Sequence, residues 1–299
     1  MYLDFFKLNK NPFHITPDPE FLFLSTGHKE AFAAISYGIE GRKGFIAVTG
    51  EVGVGKTTVL RTNLQRLDPQ KTKIIYVFNT CVSFHQLLQQ IFFEVGIPFR
   101  NEEAHELVSK LAAHVAKEYW SGQNVVFIID EAQNMPIETL EQLRMLSNLE
   151  TTEAKMLQVV MVGQPEFETK LNLPELRQLK QRIAVRALIK PLSREEATAY
   201  IIHRLMKAST FYTPIFTDEA MRMIIEESKG IPRTINILCD NSLVTAFGYQ
   251  RNPVDVQIVE EVIADISGKS KKKVSGWRKW LTLLRSILPF SPVKNSAGL

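Results

Sequence analysis

Residues 50–57 read Gly-Glu-Val-Gly-Val-Gly-Lys-Thr, and no other stretch of this 299-residue chain narrows its fold so far. The pattern G-x-x-x-x-G-K-[ST] follows a short apolar run, FIAVT at 45–49, and opens a helical pattern from about Lys56 to Leu67. A strand, a glycine-rich turn and a helix in that order make a phosphate cradle: the P-loop. Glycines let backbone N–H groups close around phosphate oxygens, and the helix adds its positive end. The expected cradle runs over Gly50, Glu51, Val52, Gly53, Val54, Gly55, Lys56, Thr57 and Thr58. Lys56 would reach the β- and γ-phosphates of ATP, and the Thr57 hydroxyl would ligate Mg²⁺.

The rest of the chain fits such a core. KIIYVF (73–78), NVVFIID (124–130), LQVVMVG (157–163) and IAVRALI (183–189) read as further strands, with helical segments such as 83–96 between them. That alternation predicts an α/β fold with a parallel five-stranded sheet covered on both faces. After Pro191 the pattern changes to four consecutive helical segments, 193–208, 217–228, 232–248 and 255–266. Ser193 and Glu196 have capping-box spacing, and Thr217 or Asp218 can cap the second segment. The expected divisions are a lead at 1–44, a core at 45–190, a helical lid at 191–267 and a basic tail at 268–299.

Composition excludes several classes. Hydrophobic residues make up 45% of the chain and charged residues 23%, as in ordinary soluble domains. No apolar run is long enough to cross a membrane, and the start lacks the layout of a signal peptide. Cys81 and Cys239 are too far apart for a metal motif and read as two buried, reduced thiols. His14, His28, His85, His105, His114 and His203 share no ligand spacing and read as surface or satisfied core residues. The expected location is cytoplasmic, or peripheral on the inner face of the cytoplasmic membrane. The net charge of +4 is uneven: residues 269–299 hold eight Lys/Arg and no acid, which leaves 28 basic against 32 acidic residues before them. An acidic body weighs against nucleic acid as its partner.

The second chemical element is VVFIIDEAQ. Asp130 ends an apolar strand, so its carboxylate emerges at the carboxyl edge of the sheet beside the P-loop, where open parallel sheets bind ligands. Asp130 would hold Mg²⁺, directly or through water, and Glu131 would activate the water that attacks the γ-phosphate.

A P-loop paired with Asp130-Glu131, followed by a helical region carrying Gly230-Ile-Pro-Arg233, resembles the AAA+ superfamily. Asn11-Pro12-Phe13, Pro17-Asp-Pro-Glu-Phe21-Leu-Phe-Leu-Ser25, Tyr37-Gly38-Ile39, Val162-Gly-Gln-Pro165 and Ile235-Asn-Ile-Leu-Cys-Asp240 narrow the likeness to the ExeA/GspA family of bacterial secretion ATPases, close to MSHA pilus-biogenesis ATPases. The likeness covers about residues 1–266.

The resemblance implies further roles. Gln164 takes the sensor-1 position, with its amide on the γ-phosphate or the attacking water. Asn79, at the end of strand 73–78, would hold Glu131 in an unproductive rotamer. Arg233 matches sensor 2, reaching from lid to γ-phosphate. Arg182 matches the finger sent into a neighbouring subunit, with Arg177 and Arg186 as rivals. The segment around Phe13 would wrap toward adenine, although Phe13 also suits a core. ATP or ADP would sit between core and lid of an oligomeric ring or arc, with an envelope-assembly protein as partner.

Many ExeA/GspA proteins continue into a membrane span and a cell-wall-binding domain. This chain ends in KSKKKVSGWRKWLTLLRSILPF and nine further residues. On a helical wheel Trp277, Trp280, Leu281, Leu284 and Leu288 share one face, with cations largely opposite. That pattern suits an anionic membrane surface contacted through 269–290; a protein partner, DNA phosphates or an inert tail are the alternatives. The implied process is type II secretion, type IV pilus assembly or polysaccharide export. The rival class is the ATP-dependent DNA-binding regulator of transposition, of the Mu B or TniB type.

Overall fold

Five strands, all parallel, stand in the order β2-β3-β4-β1-β5 in the computed structural model, which describes residues 2–268 except 17, 101 and 210–213. The chain divides into two compact units, one of residues 22–192 and one of residues 1–21 with the chain from Ser193 on. The sequence-based lead at 1–44 is therefore shared between the two units.

In order, the chain forms α1 (Tyr2–Phe5), α2 (Thr26–Glu40), β1 (Phe45–Gly50), α3 (Lys56–Leu64), β2 (Thr72–Val77), α4 (Phe84–Val95), α5 (Ala104–Trp120) and β3 (Asn124–Ile129). Then come α6 (Ile137–Leu143), β4 (Leu157–Gly163), α7 (Pro165–Leu171), α8 (Arg177–Arg182) and β5 (Ile183–Ile189). Four helices follow: α9 (Arg194–Ala208), α10 (Asp218–Ser228), α11 (Pro232–Gly248) and α12 (Val256–Ile266).

Every residue of β1, β3 and β4 is buried, as expected of strands covered on both faces. Their side chains alternate between two cores. Phe45, Ala47, Val125, Phe127, Ile129, Val159 and Met161 pack with α4 to α8. Ile46, Val48, Val126, Ile128, Val160 and Val162 pack with α2 and α3. Each such aliphatic side chain stabilises the fold by about 1.5–3 kcal/mol when fully buried. The edge strands β2 and β5 are only partly buried, since each lacks a neighbour on one side.

Helix ends follow local chemistry. Ser83 caps α4 in a reciprocal box with Gln86, and Gly96 closes it at φ 75°. Ser193 and Glu196 form the box that opens α9. Thr217, rather than Asp218, caps α10 through the Ala220 N–H. The first P-loop helix stops at Leu64 instead of about Leu67. Asp68 precedes Pro69, and a residue before proline avoids the helical region.

The helical unit gathers the first residues of the chain. Tyr2 donates to Asp240 at 3.0 Å, and Phe5 meets Phe247 edge-on at 5.5 Å, so α1 lies on α11. The buried Arg204 guanidinium donates to the Pro12 carbonyl and to the Tyr200 hydroxyl, and lies 4.9 Å from the centre of the Phe21 ring. Phe13 is fully buried and sits edge-on to Phe216. It is a core residue of this unit.

One expectation about the cysteines is corrected. Cys239 is buried, and burial pushes its thiol pKa well up, but Cys81 is exposed. β2 ends at Val77, and the loop that follows carries Cys81 over the surface. Trp277, Trp280 and the basic run of the tail lie outside the described residues.

Candidate active site

Parallel register brings the chemistry together. β1, β3 and β4 all end at one edge of the sheet, with Thr49 opposite Gly163 and Ile129 opposite Met161. The residues that follow those ends are the P-loop, Asp130-Glu131 and Gln164. Three segments far apart in sequence therefore meet in the α/β unit.

Two glycines make the P-loop turn possible. Gly53 and Gly55 have φ of 82° and 100°, a region that costs any other residue about 1–2 kcal/mol. Val54 between them is fully buried and anchors the turn, whereas Val52 is exposed. Lys56, Thr57 and Thr58 form the first turn of α3. The buried Lys56 ammonium donates to the carbonyls of Gly50 at 2.8 Å and Glu51 at 2.9 Å. Burial lowers its pKa from the usual lysine value, against the opposing pull of Glu131, Asp130, Glu51 and Glu166.

The Thr57 hydroxyl donates to Asp130 Oδ2 at 3.1 Å, and the other Asp130 oxygen accepts the Glu131 N–H at 2.9 Å. Glu131 itself has φ 55°, a left-handed conformation for a residue with a side chain. Strain of this kind is retained where surrounding contacts over-determine it, often at sites of function. Those contacts are visible. Gln164 Nε2 donates to Glu131 Oε2 at 2.9 Å, and Gln133 Nε2 donates to the same oxygen. Gln133 Oε1 in turn accepts the Gln164 backbone N–H at 3.1 Å. Burial pushes the Glu131 pKa up, but the two amide hydrogen bonds and the Lys56 charge outweigh it, so the carboxyl is held below its ordinary value. Lys170 fastens the loop from beneath, donating to the carbonyls of Gln133 at 2.6 Å and Met135 at 2.8 Å.

Asn79 takes a different place from the one the sequence suggests. Its side-chain oxygen accepts the Cys81 N–H at 3.1 Å, and the amides on the Glu131 carboxylate come from Gln164 and Gln133. Thr80, next in the loop, donates to the Glu131 backbone carbonyl at 3.5 Å. The reason is local: an Asn two residues before a free N–H closes its own turn.

Within the α/β unit, no hydrogen bond among the described residues ties Arg177, Arg182 or Arg186 to this cluster. Arg182 ends α8 and is exposed, as is Arg177 at its start. Arg186, on β5, is tied to Glu168 at 3.1 Å and to the Lys180 carbonyl at 3.0 Å. Arg233 is exposed in the first turn of α11, after Pro232, in the helical unit. Phe13 also belongs to that unit.

Sequence reasoning missed Gln133, Lys170 and His28 as parts of the site. Gln133 stood in the Asp-Glu-Ala-Gln block without a role. Lys170 and His28 carried no signal, because their partners are 35 and 26 residues away in sequence.

Sheet order, P-loop, Asp130-Glu131 pair and a helical second unit define the class: an AAA+ ATPase. The model of the AAA domain family matches residues 39–171. The chain is also 44% identical over 248 residues to general secretion pathway protein A of Aeromonas hydrophila, across 83% of this chain and 45% of that protein. By that likeness the chain resembles the ExeA/GspA family of AAA+ ATPases. A second relative, an uncharacterized HTH-type transcriptional regulator of Methanocaldococcus jannaschii, is 30% identical over 145 residues, 46% of this chain and 34% of that one. The chain thus spans less than half of either relative. Among solved structures, the ORC2 protein of Aeropyrum pernix, determined as ADPNP–ADP complexes, has a TM-score of 0.62 at 18% identity, over 86% of this chain and 71% of that chain. At that identity the likeness speaks for the fold.

Proposed function

We propose that this chain binds ATP with Mg²⁺, hydrolyses it, and uses the turnover to drive assembly of cell-envelope machinery at the inner face of the cytoplasmic membrane. The observation that carries the reading is the meeting of Lys56, the Thr57–Asp130 pair, Glu131 and Gln164 at one sheet edge. The residues suit the ligand. Lys56 is a buried cation whose hydrogen bonds go to neutral carbonyls, and so has charge to offer a phosphate. A hydroxyl and a carboxylate 3.1 Å apart are the hard oxygen donors Mg²⁺ prefers.

ATP supplies a γ-phosphoryl group open to in-line attack, and Mg²⁺ neutralises charge on its oxygens. The protein's part is positioning and proton handling. Lys56 would bind phosphate oxygens, and Thr57 and Asp130 would hold the metal. Glu131 would take the proton of the attacking water on its carboxylate. Gln164 has an amide N–H to place that water. Arg182, from a neighbouring copy in a ring or arc, and Arg233 complete the charge on the transferring group; both roles rest on family likeness. Secretion as the process rests on the Aeromonas relative. No helix among the described residues is long and apolar enough to cross a membrane, and the membrane contact is assigned to 269–290.

Steady-state hydrolysis, measured with phosphatidylglycerol liposomes and separately with duplex DNA, tests the process. Stimulation by liposomes that disappears when 269–299 is removed supports the reading. Stimulation by DNA alone overturns it in favour of the transposition-regulator class.

A further inference from the structure

His28 lies on α2, outside the segments that carry the P-loop, Asp130 and Gln164. It is buried in the α/β unit, and its ring spans two backbone features. On one side Nδ1 faces Ser25: it accepts the Ser25 N–H at 3.3 Å and lies 2.9 Å from the Ser25 hydroxyl. On the other side Nε2 is 2.7 Å from the carbonyl oxygen of Val54, inside the P-loop. A backbone N–H only donates and a carbonyl only accepts. The carbonyl contact therefore puts a proton on Nε2, which donates to Val54.

The Val54 carbonyl and the Gly55 N–H belong to one planar trans peptide, so they point in opposite directions. A hydrogen bond that draws the carbonyl toward α2 turns the N–H away from α2, into the cradle. Gly55 is left-handed here, and a Cβ on it would come within 2.9 Å of His28 Nε2. Glycine at 55 and histidine at 28 thus fit each other. Ser25 completes the support, since its hydroxyl also caps α2 by accepting the His28 N–H at 3.3 Å.

We propose that His28 is a positioning residue for nucleotide binding. By holding the Val54 carbonyl it fixes the 54–55 peptide with the Gly55 N–H toward the phosphates and sets the start of α3, and with it Lys56. This inference rests on the ATP-binding reading above.

The test uses the full chain in three variants: His28→Ala, His28→Asn and His28→Gln. Asn keeps a polar group near Ser25 but drops the donor to Val54, whereas Gln can still reach the Val54 carbonyl. Binding of Mg-ADP is measured by calorimetry, and thermal midpoints are recorded without nucleotide. Expected are losses of about tenfold or more in ADP affinity for Ala and Asn, with Gln recovering most of it. The Asn variant should keep a midpoint close to that of the parent. Affinity that is unchanged in Asn, or that falls only in step with the thermal midpoint in all three, overturns the proposal. A parent chain that fails to bind ADP sinks the ATP-binding reading itself. In that case ¹⁵N spectra of the ring still report on the geometry. A proton on Nε2 agrees with the Val54 bond, and an unprotonated Nε2 contradicts it.

Discussion

Glu131 is caught between two demands. As the base of the proposed reaction it needs a pKa high enough to take a proton, yet two amides share its Oε2 and help to hold its pKa down. Gln133 is the more dispensable of the two, because Gln164 also takes the sensor-1 position in our reading. Removing the Gln133 amide takes away a bond to the charged form, so the Glu131 pKa rises. Gln133→Ala should therefore move the acid limb of the kcat/KM–pH profile to higher pH and raise basal turnover about threefold or more, one hydrogen bond to a charged group being worth about 1.5–3 kcal/mol. A profile that stays put with turnover unchanged would show that Gln133 does not restrain this carboxylate. Asn79 shows why such assignments are hard from sequence: its position at a strand end was legible, but a turn two residues long decided its partner.

At the scale of elements, the strands and the four helices of the second unit were legible almost residue by residue. Continuous apolar runs such as NVVFIID fit only buried parallel strands, and Ser193 and Thr217 announce helix starts. α2 and α5 went unassigned. α2 hides its core contacts, Ala31, Ile35 and Ile39, among small and polar neighbours, and its link to the P-loop through His28 is purely tertiary. The placement of residues 1–21 was equally invisible, because it depends on Arg204. That side chain is buried with its guanidinium on the carbonyls of Pro12 and His14 and the hydroxyl of Tyr200. Arg204→Ala should destabilise the helical unit by about 2–4 kcal/mol in urea unfolding, and Arg204→Lys should restore little, since an ammonium cannot match the guanidinium fork. A loss below about 0.5 kcal/mol, or full rescue by lysine, would show that Arg204 does not anchor the lead.

For the whole molecule, the P-loop, Asp130 and Glu131 were readable because each is tied to a strand end, and a parallel sheet puts all its strand ends on one edge. The basic tail was readable as a pattern but lies outside the described residues, so its partner is a matter for liposomes and DNA. In the proposed reading the site binds ATP through Lys56 and activates water through Glu131. The most direct measurement is Mg-ATP binding and turnover side by side for the parent, Lys56→Ala and Glu131→Gln. Lys56→Ala should lose nucleotide affinity. Glu131→Gln should bind ATP as well as the parent while turning over about a hundredfold or more slower. Turnover that survives in Glu131→Gln at the parental rate, or ATP binding that is indifferent to Lys56→Ala, would contradict that reading.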